Sequence, residues 1–324
     1  MRGQAHLPGI RRRGARAPRH VVAAVPSPRG GVAPCVQAAP ARQGVAPDRA
    51  PVIDLHVHTT ASDGRSTPEE LVRQLAKARI TVTAVTDHDT TAAVAEVRAH
   101  AEARRIRVIT GIEITAVRDS EDVHMLGYGF DPGHPALVTF LATQRADRRR
   151  RLEEMHAKLV ALGLPVEIEP QMAATAEKSG RALGRPLLAA ALLKAGYVDS
   201  IAEAFDRYLG NGGPAFVPRR GASPADVVAL VHDAGGVASI AHPGKLKSDA
   251  LIEPLAAAGL DAIEAYHPDH DAVATAAYRS RAAKLGLLVT GGSDFHGRES
   301  GRVDAMGTVT LPADDFAQLA ERIR

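Results

Sequence analysis

Tryptophan is absent from this chain of 324 residues, aromatic residues amount to 3% of it, and there is one cysteine. With so few rings, a core of this size has to be filled by Ala, Val and Leu. The lone Cys35 allows no intrachain disulfide, and it stands outside every cluster of candidate ligands. That usage fits a reducing cytosol, so a cytoplasmic protein is expected. No run of about 18 apolar residues occurs, so no membrane span is expected. No internal repeat is found. Apolar residues still reach 45%, enough for one soluble globular protein with a large core.

Acidic residues are missing from the first fifty positions, where Asp48 is the only one. The same stretch holds nine arginines, no lysine, and much Pro, Ala and Gly without a sustained period. Residues 51–324 therefore hold 31 of the 40 basic and 36 of the 37 acidic residues, a net −5 against +3 for the whole chain. The basic pI of about 9.1 describes the first fifty residues and not the remainder. An Arg-rich start can signal targeting or RNA contact. Arg11-Arg-Arg13 lacks the apolar segment that a secretory or twin-arginine signal needs. Residues 1–50 are read as a disordered extension, or as an upstream stretch wrongly translated.

What is present centres on Val52 to Asp63. Val52, Ile53, Leu55 and Val57 favour a strand, and a strand sends alternate side chains to opposite faces. Asp54, His56 and His58 then share one face. Two imidazoles two residues apart can grip one metal ion, and Asp63 follows a short polar loop. With 14 histidines in the chain, one such pair could arise by chance. The pattern recurs, however. Asp87-His88 follows the apolar run Ile80–Val85, and Glu113 ends the run from Ile106. His124 opens Val123–Tyr128, His242 follows Ile240, and Asp294 and His296 follow Leu287–Thr290. Acids and histidines at the ends of several short buried strands, converging from distant positions, are the mark of a barrel-type site.

The remaining pattern alternates strand and helix, which implies an α/β fold. Helices are expected at 67–78, where Thr67, Pro68 and Glu70 make a capping box, and at 91–105, 224–234, 249–258, 271–285 and 313–323. Strands are expected at 81–85, 108–115, 123–128, 237–240, 262–265, 287–290 and 307–311. Between residues 134 and 220 the alternation stops. A long polar helix to Leu162, helices at 186–195 and 201–209, and no convincing strand between Glu169 and Ala215 suggest a helical insertion capping the barrel.

The ordered set His56-x-His58, Ser62-Asp63-Gly64, Asp87-His88, Gly111-x-Glu113, His124, Ala241-His242-Pro243 and Ser293-Asp294-x-His296 resembles the PHP family, the polymerase and histidinol phosphatase domains. The likeness runs from Pro51 to the C-terminus. Ser62-Asp-Gly-x-x-x-Pro-Glu-Glu70 and Ala204-Phe-x-x-Tyr-Leu-Gly210 with Pro214-Ala-Phe-Val217 point within it to phosphoesterases acting on nucleoside 3′,5′-bisphosphates and on the 5′ ends of short RNAs. The resemblance implies a distorted seven-stranded barrel holding two or three divalent ions. His56, His58, Glu113 and Asp294 would hold the first, Glu113, His124 and His242 the second, and Asp63, His88 and His296 the third. The last three would also serve catalysis. Imidazole and carboxylate ligands without thiolate suit Mn²⁺, the first choice, or Fe²⁺ or Zn²⁺. Asp54 could orient a ligating histidine through its free ring N–H, and Asp87 is a weaker ligand candidate.

On the long helix Arg145, Arg148 and Arg151 lie three apart and share a face. Guanidinium forks match phosphate oxygens. Arg148, Arg151 and, in Gly184-Arg-Pro186, Arg185 are the candidates for substrate phosphate, whereas Arg149 and Arg150 read as solvated charge. Members of this type usually carry His where this chain has Leu187. His100, His156, His232, His267 and His270 read as surface or packing residues. A small nucleotide or short RNA is the expected partner, with no membrane and no obligatory protein. The competing readings are a histidinol-phosphate phosphatase and, in another class, a non-catalytic module.

Overall fold

The computed structural model describes residues 50–168, 172, 183–297 and 304–323. The expectations for residues 1–49, and for 173–182 within the helical stretch, lie outside them. The frame is one seven-stranded sheet in sequence order: β1 Ile53–Val57, β2 Val82–Val85, β3 Arg107–Arg118, β4 Glu121–Tyr128, β5 Val237–Ile240, β6 Ala262–Tyr266 and β7 Leu288–Gly291. Strands β1, β2 and β3 run parallel, as do β5, β6 and β7. The odd one is β4, antiparallel to both neighbours. It follows β3 through a tight turn in which Asp119 and Ser120 take left-handed φ values of 51° and 65°, the geometry a two-residue hairpin requires. A single parallel bridge, Val57 to Phe295, brings the two edges together and leaves the barrel nearly closed.

β1, β2 and β5 are buried at every position, as strands covered on both faces must be. Helices α1 Pro68–Lys77, α2 Val94–Glu102, α6 Pro224–Asp233, α7 Ile252–Ala257, α8 Ala272–Leu285 and α9 Ala313–Ala320 accompany them, with the helices between β4 and β5 being α3 Pro135–Ala161, α4 Arg185–Lys194 and α5 Ile201–Ala204. The start of α1 has the expected capping box, with Thr67 accepting from the Glu70 amide and Glu70 reaching back. Ser223 and Asp226 do the same for α6. α5 runs on into a π-turn, Phe205–Leu209.

Two expectations change. Residues 307–311 do not form a strand. Gly307 takes φ 77°, Thr308 turns its hydroxyl back to the Ala305 carbonyl, and what remains is the Leu311 amide donating to the Ile53 carbonyl. The segment is a turn laid along the outer side of β1. α2 begins at Val94 and not near Thr91, because Thr90 caps a preceding turn through the Ala92 amide.

α3 joins two apolar cores. Leu137 and Leu141 pack with Ile112, Met125, Val227 and Ile240 of the barrel. Leu152, Met155 and Leu159 pack with Leu188, Leu192, Leu209 and Val217 of the helical stretch. Gln144, Arg148 and Arg151, between those two sets, are buried too.

Candidate metal centre

The alternation of β1 divides its side chains as the pattern demands. Ile53 and Leu55 enter the apolar core, and Asp54, His56 and His58 take the other face, all 0% exposed. The loop carrying Asp63 is held by Asp87, which accepts from the Thr59 amide and hydroxyl and from the Ser62 hydroxyl at 2.6–2.8 Å. Asp87 thus positions the loop and turns its oxygens away from the ligand cluster. Gly292 permits the closest approach, since a Cβ there would lie 2.4 Å from the His56 amide nitrogen. Three non-glycine residues at the mouth take left-handed backbone, Asp89 (φ 52°), His242 (27°) and Asp294 (49°). Such strain gathers where side chains must be aimed against local preference.

Glu113 is the hub. Its Oε1 lies 2.8 Å from His124 Nδ1 and 3.0 Å from His242 Nε2. Its Oε2 lies 3.2–3.4 Å from His88, His58 and His56. Asp294 Oδ1 is 3.3 Å from both His56 Nε2 and His58 Nε2. Asp63 reaches His296 Nε2 at 3.1 Å and His88 at 3.8 Å. All nine sequence candidates are therefore gathered in one cluster. Among the described residues, three sets bring donor atoms within 4.8 Å of one another: His56, His58, Glu113, Asp294; His58, Asp63, His88, His296; and His88, Glu113, His124. The first is the set expected for the first ion. The others put His58 beside Asp63 and make His88 common to two groups, while His242 joins through Glu113 Oε1.

The donor set fits divalent ions. His56 Nε2 and His58 Nε2 lie 3.1 Å apart, sharing a proton in a hydrogen bond and, once both are deprotonated, able to turn both lone pairs to one ion. Burial alone would lower the His58 pKa, but hydrogen bonds to Asp294 and Glu113 outweigh it and raise it to about 9. His56 is raised as well, where Glu264, Asp294 and Glu113 overcome burial. His242 goes the other way, to about 4, because burial prevails over its bond to Glu113. Burial would raise Glu113 and Asp294, yet the surrounding imidazoles hold both carboxyls well below their ordinary range. A metal ligand must give up its proton. Loading at pH 7 is therefore expected to release at least one proton, with apparent affinity still rising with pH through about 9, the His58 value, because His56 is raised as well. Calorimetry in two buffers of different ionisation enthalpy measures this directly. Ion uptake with no proton release would refute it.

The cluster opens onto a cavity of about 170 Å³ lined by Ser62, Asp63, His88, Asp122 and His124 together with Arg148, Arg151, Arg185, Arg219, Leu152, Met155, Leu183, Gly184, Pro186 and Phe205. Four guanidinium groups share two carboxylates there. Arg148 Nε is 2.5 Å from Asp89 Oδ2 and its Nη2 donates to Thr115. Asp122 meets Arg151, Arg185 and Arg219 at 3.3–3.5 Å. Burial, with other arginines nearby and despite Asp122, lowers Arg151 to about 10. Burial and the neighbouring Arg148 bring Arg219 to about 10 as well. Arg151 Nη2 is buried without a hydrogen bond. Such crowding favours an anion.

Arg148, Arg151 and Arg185, the sequence candidates for substrate phosphate, all line the cavity, and Arg219, which no sequence pattern singled out, lines it with them. Arg145 reaches the Asp89 carbonyl at 3.4 Å, and Arg150 pairs with Asp147 and Glu154. Leu187 packs among the apolar residues of the helical stretch and does not line the cavity. Asp54 is a candidate to orient a histidine ring. Its oxygens instead hold the Ser293 amide and hydroxyl and the His56 amide. The ring bond belongs to Glu264, whose Oε1 is 2.8 Å from His56 Nδ1. A lone acid in the middle of an apolar barrel strand was the available signal. His267 is not a packing residue only. The Asp269 amide donates to its Nδ1, so its Nε2–H faces Asp294 Oδ2 at 3.3 Å, where Lys245 also donates at 2.9 Å.

A family model described as the PHP domain matches residues 54–203. The chain is 34% identical to a 3′,5′-nucleoside bisphosphate phosphatase of Chromobacterium violaceum, covering 80% of this chain and 92% of that one. It is 33% identical to the 5′-3′ exoribonuclease Rnm of Escherichia coli, covering 76% and 85%. It is 35% identical to a phosphoribosyl 1,2-cyclic phosphate 1,2-diphosphodiesterase of Eggerthella lenta, covering 78% and 97%. A solved structure from Bifidobacterium adolescentis, named for metal-dependent phosphoesterase activity, superposes with a TM-score of 0.76 at 33% identity, covering 85% and 97%.

Proposed function

We propose, from the premise that this chain belongs to the PHP domain family, that it removes a phosphate ester from a nucleoside 3′,5′-bisphosphate or from the 5′ end of a short RNA. It is a metal-dependent phosphoric ester hydrolase, which sets aside the non-catalytic reading. No helix among the described residues is long and apolar enough to cross a membrane. The observation that supports the choice of substrate is the cavity lining, which brings Asp63, His88 and His124 together with Arg148, Arg151, Arg185 and Arg219.

Two or three divalent ions held by His56, His58, Asp63, His88, Glu113, His124, His242, Asp294 and His296, with Mn²⁺ the first candidate, would supply positive charge to the phosphoryl oxygens and acidify a water. The chain's own part is to hold the substrate. The arginines bind a second phosphate through their guanidinium forks. Binding energy from that remote group orients the reacting one. Phosphate release with Mn²⁺ across 3′,5′-bisphosphates, short RNAs, nucleoside monophosphates and histidinol phosphate tests the proposal, and a preference for monophosphates over bisphosphates would overturn it.

Arg148 is too committed to Asp89 and Thr115 to report on substrate alone. Arg185 is the cleaner probe, with contacts to Asp122, Leu209 and Asn211 of 3.3–3.4 Å. Arg185→Ala is expected to lower kcat/KM for 3′,5′-bisphosphates by about 10- to 100-fold, the scale of one charged hydrogen bond. p-Nitrophenyl phosphate, with no second phosphate, should be hydrolysed almost as before. Equal losses on both substrates would assign Arg185 to the fold.

A further inference from the structure

Glu264 lies on β6, is 0% exposed, and has no place in the ligand sets above. Its two oxygens do separate things. Oε1 is 2.8 Å from His56 Nδ1. Oε2 accepts from the His242 backbone amide at 2.6 Å. The strand slips register between Glu264 and Tyr266, and an irregularity of this kind re-aims a side chain next to an active site.

The first contact fixes which nitrogen keeps its proton. A carboxylate accepts only, so His56 holds a proton on Nδ1 toward Glu264, and it is Nε2 that gives up its own and turns a lone pair to an ion. That Nε2 faces His58, Asp294 and Glu113 at 3.1–3.4 Å. The second contact anchors a strained turn. His242 sits at φ 27° and ψ 58°, and its Nε2 faces the other Glu113 oxygen. One buried carboxylate thus holds a histidine from each side of the Glu113 bridge.

We propose that Glu264 is a positioning residue for two ions at once, so that both sites weaken together when its geometry is lost. Carboxylates behind ligating histidines fix the ring and raise its basicity, and their loss weakens metal binding about 10- to 100-fold. Here the effect extends to a second histidine through its backbone. Glu264→Gln keeps the volume but replaces one acceptor by a donor. Its NH₂ must then face either His56 Nδ1–H or the His242 N–H.

The proposal rests on the metal-centre reading and not on the identity of the phosphate ester, so the test reads ion binding. Mn²⁺ is titrated into the full chain and the free ion is followed by its EPR signal. Glu264→Gln is expected to weaken both Glu113-bridged sites by about 10- to 100-fold each, and ring ¹⁵N shifts should show His56 losing its single tautomer. Unchanged affinity, or weakening confined to one ion, would overturn the proposal. If Glu264→Gln does not fold, Glu264→Asp decides it. The charge remains, but the shorter side chain cannot reach both partners, so wild-type affinity for both ions in folded Glu264→Asp would overturn the idea equally. A purely structural role would lower the melting temperature and leave the Mn²⁺ affinities of the folded variant as they were.

Discussion

Glu113→Gln is expected to reduce turnover by about 10³-fold or more while the protein stays folded. The substitution keeps the volume and removes one negative charge from the centre of five histidines. Glu113 Oε1 serves His124 and His242, and Oε2 serves His56, His58 and His88. An amide offers one acceptor in place of two anionic ones, and its NH₂ points at imidazole nitrogens that have to stay open for metal. Losing the shared ligand weakens two ions together, and several kcal/mol of transition-state stabilisation go with them. About 4 kcal/mol corresponds to that thousandfold. Turnover at saturating metal, beside metal content by elemental analysis, checks it. A variant with more than a tenth of wild-type turnover and full metal content would show that Glu113 is not the bridge.

The second large effect is on stability. Asp89→Ala should cost about 3–5 kcal/mol, the range for leaving one member of a buried ion pair alone. Asp89 is 0% exposed and Arg148 8%. The carboxylate accepts from Arg148 at 2.5 Å and from the Thr115 amide at 2.9 Å, and pairs with Arg219 at 3.4 Å. Alanine also fits poorly at φ 52°, a conformation that Asp and Asn tolerate better. At roughly 2–4 °C per kcal/mol for large domains, the melting temperature should fall by on the order of 10 °C. Asp89→Asn, which keeps the backbone preference and one acceptor, should lie between. A melting temperature within about 2 °C of wild type for Asp89→Ala would mean that the arginine cluster rearranges without it.

Most of the ligand cluster was legible in the sequence because its members end, open or closely follow short apolar runs, whereas Asp63, after a polar loop, was marked by the family resemblance. His56 and His58 need nothing more than alternation. Glu113 and His124 need the hairpin, which Asp119 and Ser120 allow. Glu264 was hidden for the opposite reason. It sits singly inside Ile263-Glu264-Ala265, and its role exists only because β6 lies beside the ends of β1 and β5. Lys245 and His267 follow strand ends at distances no periodicity describes, and both reach Asp294 from behind. Arg219 comes after Val217 in a segment without regular structure. The expectation of a strand at 307–311 failed because local turn chemistry at Ala305–Thr308 outweighs a run of β-formers.

A helix rooted in two apolar cores behaves as a strut. From Ala136 to Ala161, α3 contains neither glycine nor proline, the usual sites of a sharp bend. Its 27 residues span about 40 Å at 1.5 Å each. Leu137 and Leu141 seat one end in the barrel, and Leu152 to Leu159 seat the other. The separation between Arg148 or Arg151 and the ligand cluster is then set by main-chain rise and not by the conformation of a loop. On the proposed function, such a gap acts as a gauge of the spacing between two anions, and a compound whose charges do not match it is refused on length.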